Sequence, residues 1–309
     1  MINEHLPVLL DEVLQALDIK NDGIYFDGTF GRGGHAAAIL NELGPAGQLY
    51  AMDKDIEAIT TANQLAESDN RLQVFQGSFA MMAEQLHTHG VAGKINGVFL
   101  DLGVSSPQLD NAERGFSFMK DGPLDMRMNN TQGQSAADWL AEADEQEISE
   151  VIRDLGEERF HHRIARAITE YRQTGRLQTT LQLANLIEAT VPRREKGKHP
   201  ATRSFQAIRI HINRELEDLK SGLQQSVDML KVGGRLAVIS FHSLEDRIVK
   251  RFMREQAEGE RLPLDLPVQY EQTGATLRLI GKAIKPSKEE IENNIRARSA
   301  TLRVAEKIA

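Results

Sequence analysis

The sequence predicts an α/β fold, a doubly wound parallel sheet carrying an inserted all-helical domain. Three observations predict it. Short apolar runs alternate with helix-like segments between Ile24 and Asp101. The runs end in or lead to Asp27, Asp53, Phe79 and Asp101, at the strand ends where open parallel sheets bind their ligands. The alternation then gives way, from about residue 112 to 200, to charged helical segments, and resumes beyond them.

Taken in order, His5–Leu17 has apolar residues at helical spacing after Pro7, so a short helix precedes the first strand, Ile24–Phe26. A glycine-rich turn leads into a helix over Ala36–Leu43, and Gly44-Pro45-Ala46-Gly47 breaks the chain. Gln48–Met52 is the second strand, followed by a helix over Asp55–Ala66 with Asp55 as its cap and Glu57 in its first turn. Arg71–Phe75 is the third strand, a helix runs to about His87, and Ile95–Leu100 is the fourth. Helical patterns then occupy Ala136–Ala143, Glu145–Leu155, Phe160–Tyr171 and Thr180–Thr190. One long helix is expected from about Ser204 to Leu230, with Gly233-Gly234 leading into a strand at Arg235–Ser240 and a helix from Leu244 to Glu255. Thr276–Ile280 and Thr301–Ala305 read as antiparallel edge strands. The expected domains are therefore 1–111 with 201–309, and an insertion at 112–200.

At 309 residues the chain suffices for one large domain or a domain with a sizeable insertion. It contains no cysteine, which excludes disulfides, cysteine-ligated zinc and a cysteine nucleophile, and fits a reducing compartment. The first residues carry no basic leader pattern, and no run approaches the roughly 18 apolar residues of a membrane span. A cytoplasmic location is expected. A net charge of −8 argues against indiscriminate nucleic-acid binding. Between Pro192 and Arg214, however, Arg193, Arg194, Lys196, Lys198, Arg203, Arg209 and Arg214 stand against Glu195 alone. That patch suits a selective anionic partner or is a solvated basic loop.

The stretch YFDGTFGRGGH, Tyr25–His35, describes a nucleotide-type site, because glycines admit close backbone approach and a helix N-terminus presents free N–H groups. Asp53 follows Gly33 by 20 residues, and an acid there accepts both hydroxyls of a ribose. Nicotinamide and S-adenosylmethionine sites share this scaffold. The acid-x-Gly-x-Gly-x-Gly register of methyltransferases fits from Asp27, with Thr29 in place of the first glycine, whereas the dinucleotide pattern leaves Asp27 unexplained. The stretch DLGVSSPQLD, Asp101–Asp110, is similar to the strand-four element of amino-group methyltransferases. An exocyclic base amine needs an acceptor for its N–H, and Asp101 or a carbonyl among Ser105, Ser106 and Pro107 can supply it. Methylation at carbon 5 of a pyrimidine ordinarily uses a cysteine, which this chain lacks.

These motifs, with ERGFSF (Glu113–Phe118), GPLDMRM (Gly122–Met128), KHPATRSFQAIRI (Lys198–Ile210) and ISFHSLEDRIVK (Ile239–Lys250), resemble the bacterial 16S ribosomal RNA (cytosine-N4)-methyltransferase family of the RsmH (MraW) type. The likeness runs from His5 to Ser299. It implies a Rossmann-like class I methyltransferase sheet with an inserted helical domain, and N4 methylation of a decoding-centre cytidine in the small ribosomal subunit. It places S-adenosylmethionine contacts on Gly33, Gly34, His35, Asp53, Phe79, Asp101 and Gln108.

The remaining motifs suggest substrate contacts. Arg114, Phe116 and Phe118 combine a cation with aromatics that suit an unstacked base, or else pack a core. Arg127 contacts phosphate or pairs with Asp125. Lys198, His199 and Arg203 lie in the basic stretch that would follow an RNA backbone. His242 orients the cytidine or is structural, and Trp139 is a core residue. A nicotinamide oxidoreductase, an RNA-binding factor without activity and a DNA amino-methyltransferase remain alternatives at this stage. No metal is called for.

Overall fold

The computed structural model describes residues 7–192, 197, 199–259 and 274–309. Helix α1 (Leu10–Leu17) precedes β1 (Ile24–Asp27), which is followed by α2 (Gly34–Glu42), β2 (Gln48–Asp53), α3 (Ile56–Ser68), β3 (Leu72–Gln76), α4 (Met82–Thr88) and β4 (Ile95–Asp101). Asp55 caps α3 by accepting the Glu57 N–H at 3.0 Å. Short helix α5 (Ser106–Asp110) opens a helical run of α6 (Ala136–Glu142), α7 (Glu145–Gly156), α8 (His161–Tyr171), α9 (Thr180–Thr190) and α10 (Thr202–Asn213). Then come α11 (Glu215–Met229), β5 (Leu230–Ser240), α12 (Ser243–Glu258), β6 (Leu277–Leu279), α13 (Lys288–Asn293) and β7 (Thr301–Lys307).

Two compact units result, Met1–Gly103 with Glu217–Ala309, and Val104–Leu216. In the first, seven strands of the described residues form one sheet in the order β3-β2-β1-β4-β5-β7-β6. Strands β1 to β5 pair in parallel, while β7 runs antiparallel to both β5 and β6. Order reverses between β1 and β4, so the first turn and the end of β4 lie side by side. Alternate side chains feed opposite layers, as a two-residue period requires. Tyr25, Phe99, Ala237 and Ile239 join α1, α2 and α3 on one face. Phe26, Val98, Leu100, Leu236 and Val238 join α4, α11 and α12 on the other.

The second unit has its own core, including Leu124, Trp139, Ile148, Ile152, Ile164, Leu183 and Phe205. It extends past the expected 112–200 because α10 packs on α7. Gly156 gives the room: a Cβ there would lie 2.7 Å from the Arg203 carbonyl oxygen. The expected single helix from Ser204 to Leu230 is two helices. Arg214 turns left-handed at φ 52°, ending α10, and its N–H donates to the His211 carbonyl at 3.1 Å. Strand β5 also begins earlier than expected and runs through Gly233-Gly234, with a register irregularity opposite Ile95 and Gly97.

Candidate active site

The glycine turn folds as its residues demand. Gly31 and Gly33 are left-handed, and a Cβ on Gly33 would meet the Phe30 ring at 2.5 Å. Three backbone bonds fasten the turn to neighbouring strands and to itself: Gly28 N–H to the Phe99 carbonyl, Phe30 N–H to Met52, and Gly33 N–H to Phe30. Thr29 stands where a glycine is usual, and the structure gives it a task. Its Oγ1 accepts the Asp101 N–H at 2.6 Å, while its own N–H donates to Asp27 Oδ1 at 3.0 Å. The hydroxyl-bearing residue thus ties the carboxyl ends of β1 and β4 together.

Three acids line these strand ends. Asp27 is 1% exposed, and its Oδ2 is buried without a partner among the described residues. Burial pushes its carboxyl up to about 7, against the Thr29 hydrogen bonds and with the Asp53 charge adding to the rise. Asp53 accepts the Gly31 N–H on Oδ2 and the Asp55 N–H on Oδ1, both at 2.8 Å. Burial raises it to about 6 despite those bonds. Asp101 is raised well above the carboxylate range by burial, then by the charges of Asp27 and Glu245. Its Oδ1 is also buried without a partner.

His35 opens α2 and is neutral. Burial lowers its imidazole to about 4, and Nε2 donates to the Val8 carbonyl at 3.0 Å, which leaves Nδ1 as an acceptor. That Nδ1 sits 4.0 Å from Asp101 Oδ2, and the ring leans on Phe99 at 4.6 Å between centroids. Gly34 makes room for this entry: a Cβ there would meet Pro7 Cγ at 2.4 Å. Phe79 begins a 3₁₀ turn (Phe79–Met81) after β3, with its ring half-buried. The first unit therefore gathers Gly33, Gly34, His35, Asp53, Phe79 and Asp101. The side chains gathered are three carboxyl groups, two of them with an oxygen left without a partner among the described residues, and an imidazole lone pair. Such a set calls for a cationic ligand bearing N–H and O–H groups, and S-adenosylmethionine is one.

In the second unit, α5 starts with Ser105 as its cap, Ser106 and Pro107 in its first turn, and Gln108 reaching back. Gln108 Oε1 accepts the Ser105 N–H at 2.9 Å, and the residue is buried. Two expected base contacts fare differently from the sequence reading. Arg114 is 4% and Phe116 6% exposed, so neither is presented for stacking on a base. Arg114 Nη2 donates to the carbonyls of Arg127 and Met128, and the guanidinium lies 5.8 Å from the Phe116 ring. Phe118 packs on His199 and Phe205. Arg127 forms a forked pair with Asp125 at 2.9 and 2.6 Å and donates to the Gly133 carbonyl. Arg203 donates to the Glu157 carbonyl at 2.6 Å, and His199 Nδ1 accepts the Ala201 N–H. Lys198, with Arg193, Arg194 and Lys196, lies outside the described residues. Trp139 is a core residue whose Nε1 donates to Glu147.

His242, in the first unit, is the N-cap of α12. Its Nε2 sits 3.0 Å from Glu245 Oε1, and Glu245 Oε2 accepts the Phe241 N–H. The ring thus caps α12 beside Glu245, and Glu245 holds the end of β5. The sequence marks Asp27 through its place in the register but assigns it no contact. It does not mark Asn213, whose Oδ1 accepts the Met128 N–H and whose Nδ2 donates to the Met126 and Arg209 carbonyls. No spacing pattern announces such a brace.

This strand order, with acids ending β1, β2 and β4 and a glycine turn opening α2, defines a class I methyltransferase sheet. The sequence profile of the MraW methylase family matches residues 2–308. Similar proteins named ribosomal RNA small subunit methyltransferase H occur in Nitrosococcus oceani, 59% identical over 99% of this chain and 98% of that protein, and in Alteromonas mediterranea, 55% identical over 99% and 98%. The one from Legionella pneumophila strain Paris is 55% identical over 99% of each. The chain belongs to the MraW methylase family and is an S-adenosylmethionine-dependent methyltransferase. No helix among the described residues is long and apolar enough to cross a membrane.

Proposed function

We propose that this enzyme methylates the exocyclic N4 amine of a cytidine in the decoding centre of 16S ribosomal RNA, acting in the cytoplasm on the small ribosomal subunit. The observation that carries the reading is the 54–59% identity, over 98–99% of this chain, to proteins named as small-subunit ribosomal RNA methyltransferases.

The sulfonium donor supplies an already activated methyl group, so the protein's part is alignment for in-line transfer. Asp53 would take the ribose hydroxyls, and Phe79 would lie against the adenine. Gly33, Gly34 and His35 would approach the methionine part, with Asp27 and Asp101 supplying negative charge. The cytidine amine needs an acceptor that localises its lone pair and later takes the proton. Asp101 supplies that acceptor, or a carbonyl of Ser105, Ser106 or Pro107 does, and Gln108 holds that segment's start. No covalent enzyme intermediate is needed, and the chain has no cysteine to form one. The Val104–Leu216 unit is assigned to RNA recognition, with the basic stretch between Pro192 and Arg214, Lys198 and Arg203 included, tracking phosphates. Binding should therefore weaken with salt.

The test is mass-spectrometric mapping of methylated cytidine in undermethylated small subunits treated with the enzyme and the donor. One N4-methylated cytidine in the decoding centre supports the reading. Label at carbon 5, or label on DNA in preference to the subunit, overturns it.

A further inference from the structure

We propose that one face of α11, made of Asp218, Gly222 and Gln225, positions the adenosine end of the methyl-donor site. The inference rests on the reading of Asp53 and Phe79 as the ribose and adenine contacts. The three residues recur at i, i+4 and i+7, so they share one helix face. They lie in the same compact unit as both contacts.

Each grips the chain beside a contact. Asp218 Oδ2 accepts the Ser78 hydroxyl at 2.6 Å and pairs with Lys54 Nζ at 2.5 Å. One carboxylate therefore holds the neighbour of Phe79 and the neighbour of Asp53. Ser78 Oγ in turn accepts the Ala80 N–H at 3.2 Å, capping the turn that carries Phe79. Gln225 holds the far side of that turn: its Oε1 accepts the Ala83 N–H at 2.9 Å, and its Nε2 donates to the Ala80 carbonyl. Gly222 sets the depth of the ring. A Cβ at Gly222 would lie 2.4 Å from Phe79 Cδ2 and 2.8 Å from Cε2, so the ring rests directly on the helix backbone. A Cβ at Gly28 would come within 2.8 Å of Phe79 Cβ. Two glycines therefore set where Phe79 lies, Gly28 at its Cβ after β1 and Gly222 at its ring in α11.

Glycine in mid-helix costs up to about 1 kcal/mol relative to alanine, and here it admits the Phe79 ring against the helix. Phe79 is partly exposed, so the contact with α11 leaves it accessible. Asp218, Gly222 and Gln225 touch no reacting atom; they are positioning residues for donor affinity.

The test measures binding of S-adenosylhomocysteine and of adenosine, which fills only the adenosine end, by calorimetry on the full chain. Gly222→Ala should weaken both by about tenfold, and Asp218→Asn by a similar factor, as loss of a charge-assisted bond predicts. Turnover at saturating donor should stay within about twofold, so the effect falls on KM. In a Phe79→Leu background Gly222→Ala should cost less than it does in the wild type, because the smaller side chain clears the new Cβ. Wild-type adenosine affinity in both single variants overturns the proposal if Phe79→Ala still weakens binding. Equal losses in kcat and KM that track a lowered Tm overturn it too, since they mark a merely structural role. If Phe79→Ala itself leaves adenosine binding unchanged, the adenine reading falls and the proposal falls with it.

Discussion

Asp27→Asn offers a measurement whose sign and size follow from the structure. The carboxyl is buried at the end of β1 with one oxygen unpartnered, and it titrates at about 7 in place of 3.8. The folded protein therefore keeps this proton up to about pH 7, while the unfolded chain gives it up near pH 4. Its contribution to stability is fully present below about pH 4 and is lost as the pH rises through about 7. At about 1.4 kcal/mol per unit, the loss amounts to roughly 4 kcal/mol. Asparagine keeps the shape and the acceptor for the Thr29 N–H but cannot ionise. Asp53 and Asp101 couple to Asp27 through their charges, so the difference between the two proteins includes the easier ionisation of these neighbours in the variant.

The assay is urea unfolding of wild type and variant without donor, at steps from pH 4.5 to 8. The two proteins should be closest at the acid end. The variant should gain on the wild type up to about pH 7, by about 3 kcal/mol over this range, and level off above it. Parallel curves would refute the reasoning, because they would mean that the buried carboxyl titrates where an exposed one does. A companion measurement carries the same sign into function. Affinity for S-adenosylmethionine should rise with pH up to about 7 in the wild type, since the cationic donor favours the ionised site. The slope for uncharged-sulfur S-adenosylhomocysteine should be shallower.

Asp53→Ala should raise the dissociation constant for the donor by at least about tenfold, because it removes the proposed ribose acceptor and unpairs the Gly31 and Asp55 N–H groups; calorimetry reads it directly. Asp101→Asn should cut turnover more than it alters RNA affinity, as single-turnover rates and filter binding will show, and wild-type turnover would move the acceptor role to the Ser105–Pro107 backbone. Asn213→Ala should destabilise the protein by about 2 to 4 kcal/mol in urea unfolding, since three hydrogen bonds are lost and Met126, left-handed at φ 62°, loses its carbonyl's partner.

The donor side was legible because it is local. A strand, a glycine turn and a helix occupy contiguous residues, and the acids that matter end strands whose apolar runs announce them. Even the misfit at Thr29 made sense once its hydroxyl was seen taking the Asp101 N–H. Tertiary features had no such signature. Nothing between Ser204 and Leu230 marks Arg214 as the helix break; the one glycine in that span, Gly222, is mid-helix and serves Phe79. Likewise α10 carries an amphipathic pattern that fits either unit, and only its packing on α7 assigns it.

The acceptor side shows why a motif leaves its residue roles open. ERGFSF and GPLDMRM fit cations and aromatics offered to RNA or groups packed and paired within the fold, and the structure shows the second arrangement. The Arg114 fork ends on two carbonyls, and the Arg127 fork ends on Asp125 and Gly133. Gly115 and Gly122 explain the arrangement. A Cβ on Gly115 would lie 2.3 Å from the Pro123 carbonyl oxygen, and one on Gly122 would lie 2.0 Å from that of Ala112. The two motifs are thus pressed backbone to backbone, and Asn213 pins the second from α10. Their residue types suit that interlock, in which a guanidinium satisfies several carbonyls at once. Removing Arg114 therefore acts on RNA, if at all, through the shape of this loop. A weakened affinity for RNA in an Arg114 variant counts as evidence of direct contact only when the unfolding midpoint is unchanged.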